Sequence, residues 1–244
     1  MKVVLSHDID SIKKPLRHVW SVQKRFAKKD LIFHFLGFKN LYNNLDELIS
    51  LEDRYGFYST FFIPVDLFPL GEVIDTIRSI KSRGWEIALH FVVEGNQEEG
   101  FVSMKKEYLE NLVGEVCGVR THNLVINERL LSIFENNSFK YDSSLRAETV
   151  RTYKPFKIRE SLTEVPIGVM DTDLFGRLKM DENEAKKNIL AKLDKAKKER
   201  FFTILFHQES FKMRGGRLYK EILKHIKDKG YEGIRCIDTV GADL

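Results

Sequence analysis

The first apolar run of the chain, Val3-Val4-Leu5-Ser6, stops abruptly at His7-Asp8-Ile9-Asp10. Residues two apart on an extended chain share a face, so Asp8 and Asp10 aim the same way. Two parallel carboxylates repel each other unless a cation lies near them. A divalent metal ion with a carboxylate base beside it meets that need and suits hydrolysis. Taken alone, the pair reads as a helix cap and a solvated acid. Other strand ends change that reading. Glu86-Ile-Ala-Leu ends at His90, and Gly118-Val119 runs into Arg120, Thr121 and His122. Phe139-Lys140 leads to Tyr141-Asp142, Val165-Pro166-Ile167 is followed by Asp171 and Asp173, and Phe201–Phe206 ends at His207. A purely structural barrel gains nothing from desolvating so many ionisable groups at one mouth. His7 alternates with Asp8 and is expected to face the core instead.

These ends must be held by short strands, expected at Lys2–Ser6, Tyr58–Pro64, Glu86–His90, Gly118–Arg120, Phe139–Asp142, Thr163–Ile167, Phe201–His207 and Gly233–Ile237. Helical patterns lie between them at Leu45–Tyr55, Gly71–Arg83, Val102–Val113, Glu128–Asn136, Asp181–Glu199 and Arg217–Lys229. Several end at a glycine, and Asp181–Glu199 opens acidic and closes basic, as the helix dipole favours. Regular strand–helix alternation predicts an α/β fold, and about eight short strands favour a (β/α) barrel over an open sheet. No Pro/Gly/Ser-rich linker divides the chain, so residues 1–244 are read as a single catalytic domain. The run Leu31–Phe38 is apolar without helical period. It reads as a lid, a membrane-facing patch, or a segment packed under a long loop.

Composition narrows the partners. The 244 residues carry 40 Lys plus Arg against 36 Asp plus Glu, a net charge of +4. The charges are interspersed, and this balance does not by itself argue for nucleic acid; no nucleic-acid partner is expected. Cys117 and Cys236 are far apart and in no CxxC pattern, so a reducing compartment is expected. The N-terminal residues lack a signal-peptide pattern, and no apolar run is long enough to span a bilayer. A cytoplasmic location without a transmembrane segment is the expectation.

The order Asp-x-Asp, Glu-Ile-Ala-Leu-His, Gly-Val-Arg-Thr-His, Tyr-Asp-Ser-Ser and Leu-Phe-His, together with Ser59-Thr-Phe-Phe-Ile-Pro64, resembles the polysaccharide deacetylase (NodB-homology) carbohydrate esterases. The His-Asp-x-Asp form of the first motif is similar to one subgroup of that family. The resemblance implies a distorted (β/α)7-type barrel of mostly parallel strands that removes an acetyl group from an N-acetylated sugar with the help of a metal. It puts Asp8 at the catalytic base, Asp10 and His90 at metal ligands, His207 at the general acid and Arg120 at the residue that tunes the base. Asp171 or Asp173 matches the acid that supports the histidine. The family usually has a second histidine four residues after His90. Here Glu94 stands in its place, as a third ligand to zinc or another divalent ion or as the start of a solvated acidic loop. His122, which shares a face with Arg120, and Tyr141 and Asp142 at the fifth strand end are the candidates for contacting substrate. The oxyanion is expected to use the metal and a backbone N–H beside Thr121. With a cytoplasmic location, a nucleotide-linked or lipid-linked amino sugar is the expected substrate. Three rivals remain: a metal-independent hydrolase of a cyclic amide on the same barrel, a catalytically inactive glycan-binding barrel, and a nucleic-acid binder, for which no basic stripe or aromatic platform speaks.

Overall fold

The computed structural model describes residues 1–93 and 99–241. Its strands are β1 (Lys2–Asp8), β2 (Thr60–Ile63), β3 (Glu86–Phe91), β4 (Gly118–Thr121), β5 (Tyr141–Asp142), β6 (Phe156–Lys157), β7 (Thr163–Glu164), β8 (Ile167–Met170), β9 (Phe201–Leu205) and β10 (Glu232–Ile234). The helices are α1 (Leu16–Ser21), α2 (Lys28–Phe35), α3 (Leu45–Tyr55), α4 (Ile74–Ser82), α5 (Glu99–Val113), α6 (Glu128–Asn136), α7 (Ala147–Val150), α8 (Glu182–Ala196) and α9 (Arg214–Asp228). Every expected strand and helix is present, with ends shifted by a few residues.

One sheet runs in the order β6-β7-β5-β4-β3-β2-β1-β9-β8, with β10 beside the start of β1. All pairs are parallel except β6 with β7. The extended stretch 163–170 closes the curl. Its first half pairs with β5 and its second half with β9. Val165 N–H donates to Asp142 O and Ile167 N–H to Leu145 O, so Pro166 falls where no ladder donor is needed. Counting 163–170 as one stave, seven staves surround the interior, in accord with the expected (β/α)7-type barrel.

Local sequence explains the elements. The strands are β-branched and aromatic and are buried on both faces, as parallel strands between helices must be. Asn127 caps α6 by accepting from Leu130 N–H, and Asp181 with Glu184 forms a capping box at α8. Helix α3 stops at Gly56, which takes the left-handed conformation at φ +69°. Behind the sheet, the Glu52 carboxylate on α3 gathers four side chains. It accepts from His7 Nε2 (2.7 Å), Ser59 Oγ (2.7 Å), Trp85 Nε1 (2.6 Å) and Tyr219 Oη (2.6 Å). His7 therefore faces the core.

The chain between β1 and α3 differs from expectation. Leu31–Phe38 lacks an amphipathic period, yet Lys28–Phe35 is helical. The helix has no buried residue, so no core face imposes a period on it. This excursion has a small core of its own in Val19, Phe26, Leu41 and Tyr42. It is pinned to the barrel by the Gln208 side chain, whose Nε2 donates to Ser11 O and Tyr42 O while its Oε1 accepts from Asn44 N–H.

Candidate active site

Parallel strands bring their carboxyl ends to one rim, and there the ionisable residues meet. A cavity of about 230 Å³ is lined by Asp8, Asp10, His90, His122, Arg146 and His207, with Asn123, Leu124, Met170 and Thr172 completing its wall.

Asp8 ends β1 and is almost fully buried. Its Oδ1 accepts from Arg120 Nη1 at 2.7 Å. Burial pushes the Asp8 carboxyl up, but Arg120, His90 and His207 outweigh it and hold the group below the usual carboxylate range. Arg120 itself has no solvent exposure. Its Nε donates to Ser143 O (2.7 Å), and its Nη2 donates to Ser143 Oγ (2.7 Å) and Ser6 Oγ (3.1 Å). The guanidinium carbon sits 3.9 Å from the centre of the Phe62 ring. A planar fork satisfied on several sides cannot rotate away from Asp8.

His207 follows β9. Its Nδ1 lies 2.6 Å from Asp171 Oδ1, and its Nε2 is 3.7 Å from Asp10 Oδ2. Asp171 also accepts from Ser210 Oγ (2.5 Å) and from the backbone N–H of Thr172 and His207. Burial alone would lower the His207 pKa, but the Asp171 charge and hydrogen bond raise it well above the ordinary histidine value. The sequence left Asp171 and Asp173 as alternatives. Asp173 instead pairs with Arg146 and Arg177.

The third group is Asp10, His90 and His122. His90 Nδ1–H donates to Arg120 O at 3.2 Å, which leaves Nε2 as a lone-pair donor. That Nε2 is 3.1 Å from Asp10 Oδ1 and 3.2 Å from His122 Nδ1, and His122 Nδ1 is 3.3 Å from Asp10 Oδ1. Ligands about 2.0–2.1 Å from a tetrahedral zinc stand roughly 3.3 Å apart. The three atoms thus have the spacing of one face of a zinc coordination sphere, and the donor types fit a divalent metal. His122 is held there by a tight turn in which Asn123 and Leu124 both adopt left-handed backbone, at φ +58° and +55°. Two adjacent non-glycine residues in that region store strain, a feature of functional sites.

Several expectations need correction. His122, expected to contact substrate, lines the cavity and also stands within the candidate ligand set, because its turn folds it back over His90. Tyr141 and Asp142 were also assigned to substrate. Both are fully buried. Tyr141 Oη donates to Glu86 Oε1, and Asp142 Oδ1 accepts from Ser144 Oγ, so both are spent inside the barrel. The Thr121 N–H is taken by Ser144 Oγ and is not free for an oxyanion. Glu94 lies outside the described residues. Ser143 and Ser144 were quoted within a motif but given no task. They clamp Arg120 and Thr121, a role visible only once β4 and β5 are paired.

A buried carboxylate–arginine pair, an aspartate–histidine pair and a group of three potential metal ligands thus surround one cavity of an α/β barrel. The model of the WbmS-like polysaccharide deacetylases matches residues 43–204, and the chain belongs to that family. It is accordingly a deacetylase, a hydrolase of carbon–nitrogen bonds. Among solved structures, a polysaccharide deacetylase of Mycobacterium smegmatis superposes with a TM-score of 0.73 at 18% identity, over 98% of this chain and 88% of that one. A Bordetella bronchiseptica polysaccharide deacetylase described as involved in O-antigen biosynthesis gives 0.52 at 15%, over 98% and 82%. A Streptomyces lividans family 4 carbohydrate esterase in complex with acetate gives 0.54 at 12%, over 95% and 91%. At such identities the likeness is one of fold. No curated protein matches the sequence.

Proposed function

We propose that the chain hydrolyses the acetamide of an N-acetylated amino sugar, using a divalent metal, zinc, held by Asp10, His90 and His122. The single observation that carries this reading is the ligand triangle of 3.1, 3.2 and 3.3 Å beside the Asp8–Arg120 and Asp171–His207 pairs. Such a cation supplies Lewis acidity to the acyl oxygen and lowers the pKa of the attacking water.

The chain's own groups handle the protons. Asp8, kept ionised by Arg120, accepts the proton of the attacking water. That water's oxygen bonds to the acyl carbon, and the carbon–nitrogen bond then breaks. His207, kept protonated by Asp171, gives its Nε2 proton to the departing amine. Acetate and a free amino sugar result. Asp10 is held well below the usual carboxylate range, since the neighbouring His122, His90 and His207 overcome its burial, so it is charged and ready to bind a cation. A nucleotide-linked or lipid-linked saccharide is the preferred substrate class. The O-antigen connection stated for the Bordetella relative supports the lipid-linked form.

The test measures bound metal by mass spectrometry and acetate release from N-acetylated sugars before and after chelation. We expect about one equivalent of metal, chelator-sensitive acetate, loss of acetate with retained metal in Asp8→Asn, and loss of metal in His122→Ala. Turnover that survives complete metal removal would favour the metal-free amide hydrolase instead.

A further inference from the structure

The excursion between β1 and α3 carries a surface that the reaction does not use. Leu16, Trp20, Ile32, Phe35, Leu36 and Phe38 are all exposed, and Phe38 is 77% exposed. With Phe33 they make up half of the exposed large apolar side chains among the described residues, concentrated in 23 consecutive positions. Trp20 on α1 meets Phe35 on α2 edge to face, with ring centres 6.0 Å apart, so the outer sides of both helices form one patch. The patch is not a loose loop, because its inner side packs on Val19, Phe26, Leu41 and Tyr42 and the segment is pinned by Gln208. Residues 11–43 contain eight Lys and Arg, including Lys13, Lys14, Arg17, Lys28 and Lys29, against one acid, Asp30. This segment carries +7 where the whole chain carries +4, which leaves −3 for the remainder.

An apolar apex with a tryptophan, set in lysines, is the pattern that binds an anionic lipid surface. We infer that the α1–α2 platform seats this protein on an anionic bilayer, its apolar residues entering the headgroup boundary and its lysines meeting the lipid phosphates. Charge decides against a second copy. A two-fold interface would set +7 against +7. Trp20, Phe33, Phe35 and Phe38 offer rings, but the exposed aliphatic Leu16, Ile32 and Leu36 among them suit acyl chains better than stacked bases. The inference stands on this surface alone and is independent of the reaction proposed above.

The two tryptophans make the test direct. Trp20 is 64% exposed and Trp85 is 2% exposed, with its Nε1 bonded to Glu52. A spectral change on adding vesicles therefore reports Trp20. Vesicles of equal parts phosphatidylglycerol and phosphatidylcholine should bind the protein, shift its emission to the blue and quench it when their acyl chains are brominated. Pure phosphatidylcholine should bind at least about tenfold more weakly. Leu36→Ser with Phe38→Ser, and separately Lys28→Glu with Lys29→Glu, should each weaken binding to the anionic vesicles by about tenfold or more. Near-ultraviolet circular dichroism and metal content of both double variants should match the parent. Absence of vesicle binding, binding without a blue shift, or variants that bind like the parent would overturn the inference. So would a concentration-dependent dimer, or an oligonucleotide complex, lost in the Leu36→Ser/Phe38→Ser protein.

Discussion

At the scale of single residues, the proposed reaction separates groups that move protons from groups that hold those groups in place. Of the ionisable groups lining the cavity, Asp171 touches His207, through the 2.6 Å contact. Asp171→Asn should lower kcat by about 10²- to 10⁴-fold, the usual worth of a general acid, with metal content unchanged. Arg120→Lys keeps a positive charge but loses the fork that reaches Asp8, Ser6 and Ser143 together. We expect kcat to fall at least about tenfold and the melting temperature to drop as well, because partners of a buried charge are left unpaired. A near-parental rate in the lysine variant would show that charge alone suffices. Asp8, Asp10, His90, Arg120 and His207 could be picked out in the sequence because each ends an apolar run, where strand alternation fixes its direction. The placement of His122 could not be read. It depends on two left-handed residues whose letters, Asn and Leu, do not announce that backbone. Tyr141 and Asp142 misled because a two-residue strand gives too little alternation to tell the rim from the interior.

At the scale of elements, buried acids knit the sheet to its helices. Glu52 joins β1, α3, α9 and the residues flanking β2 and β3 through four hydrogen bonds. Glu52→Ala leaves four buried donors without an acceptor and should cost about 3–5 kcal/mol, read from the denaturant midpoint. Asp142 on β5 and Glu164 on β7 face each other across the closing seam. Burial, above all, pushes Asp142 up to about 6, and burial with the Asp142 charge lifts Glu164 well above its ordinary value. Both acids hold protons in the folded chain that the unfolded chain gives up nearer pH 4. The stabilisation from neutral burial is therefore fully present below about pH 4 and is lost as pH rises through about 6 and beyond. Glu164→Gln keeps an acceptor for Leu145 N–H without the second charge. The melting temperature of the parent minus that of Glu164→Gln should fall between pH 5 and pH 8; a constant difference would refute protonation of this buried pair. The large elements were legible because each strand is a continuous apolar run and each barrel helix has a core face. Helix α2 has no such face and β6 is a two-residue antiparallel add-on, so neither leaves a periodic trace in the sequence.

At the scale of the whole molecule, the barrel closes only because specific side chains are missing from its interior. A Cβ on Gly118 would overlap the Tyr141 ring, and one on Gly168 would come within 2.5 Å of Phe202 Cε2. Gly118→Ala and Gly168→Ala should each destabilise the protein by about 1–3 kcal/mol, measured by chemical denaturation, without touching the catalytic groups. No helix among the described residues is long and apolar enough to cross a membrane, so a bilayer would be met from one side, by the α1–α2 platform. The placement of β1 between β2 and β9 has a further consequence, in time. Its long ladder, from Lys2 opposite Phe201 to Ser6 opposite Leu205, joins residues about two hundred positions apart. During synthesis the Asp8 carboxylate leaves the ribosome long before the strand that completes its seat. Until β9 arrives, β1 keeps an open, apolar edge that invites pairing with other chains. Nascent chains halted before residue 201 should therefore occupy chaperones, and protease resistance should appear only once β9 has emerged.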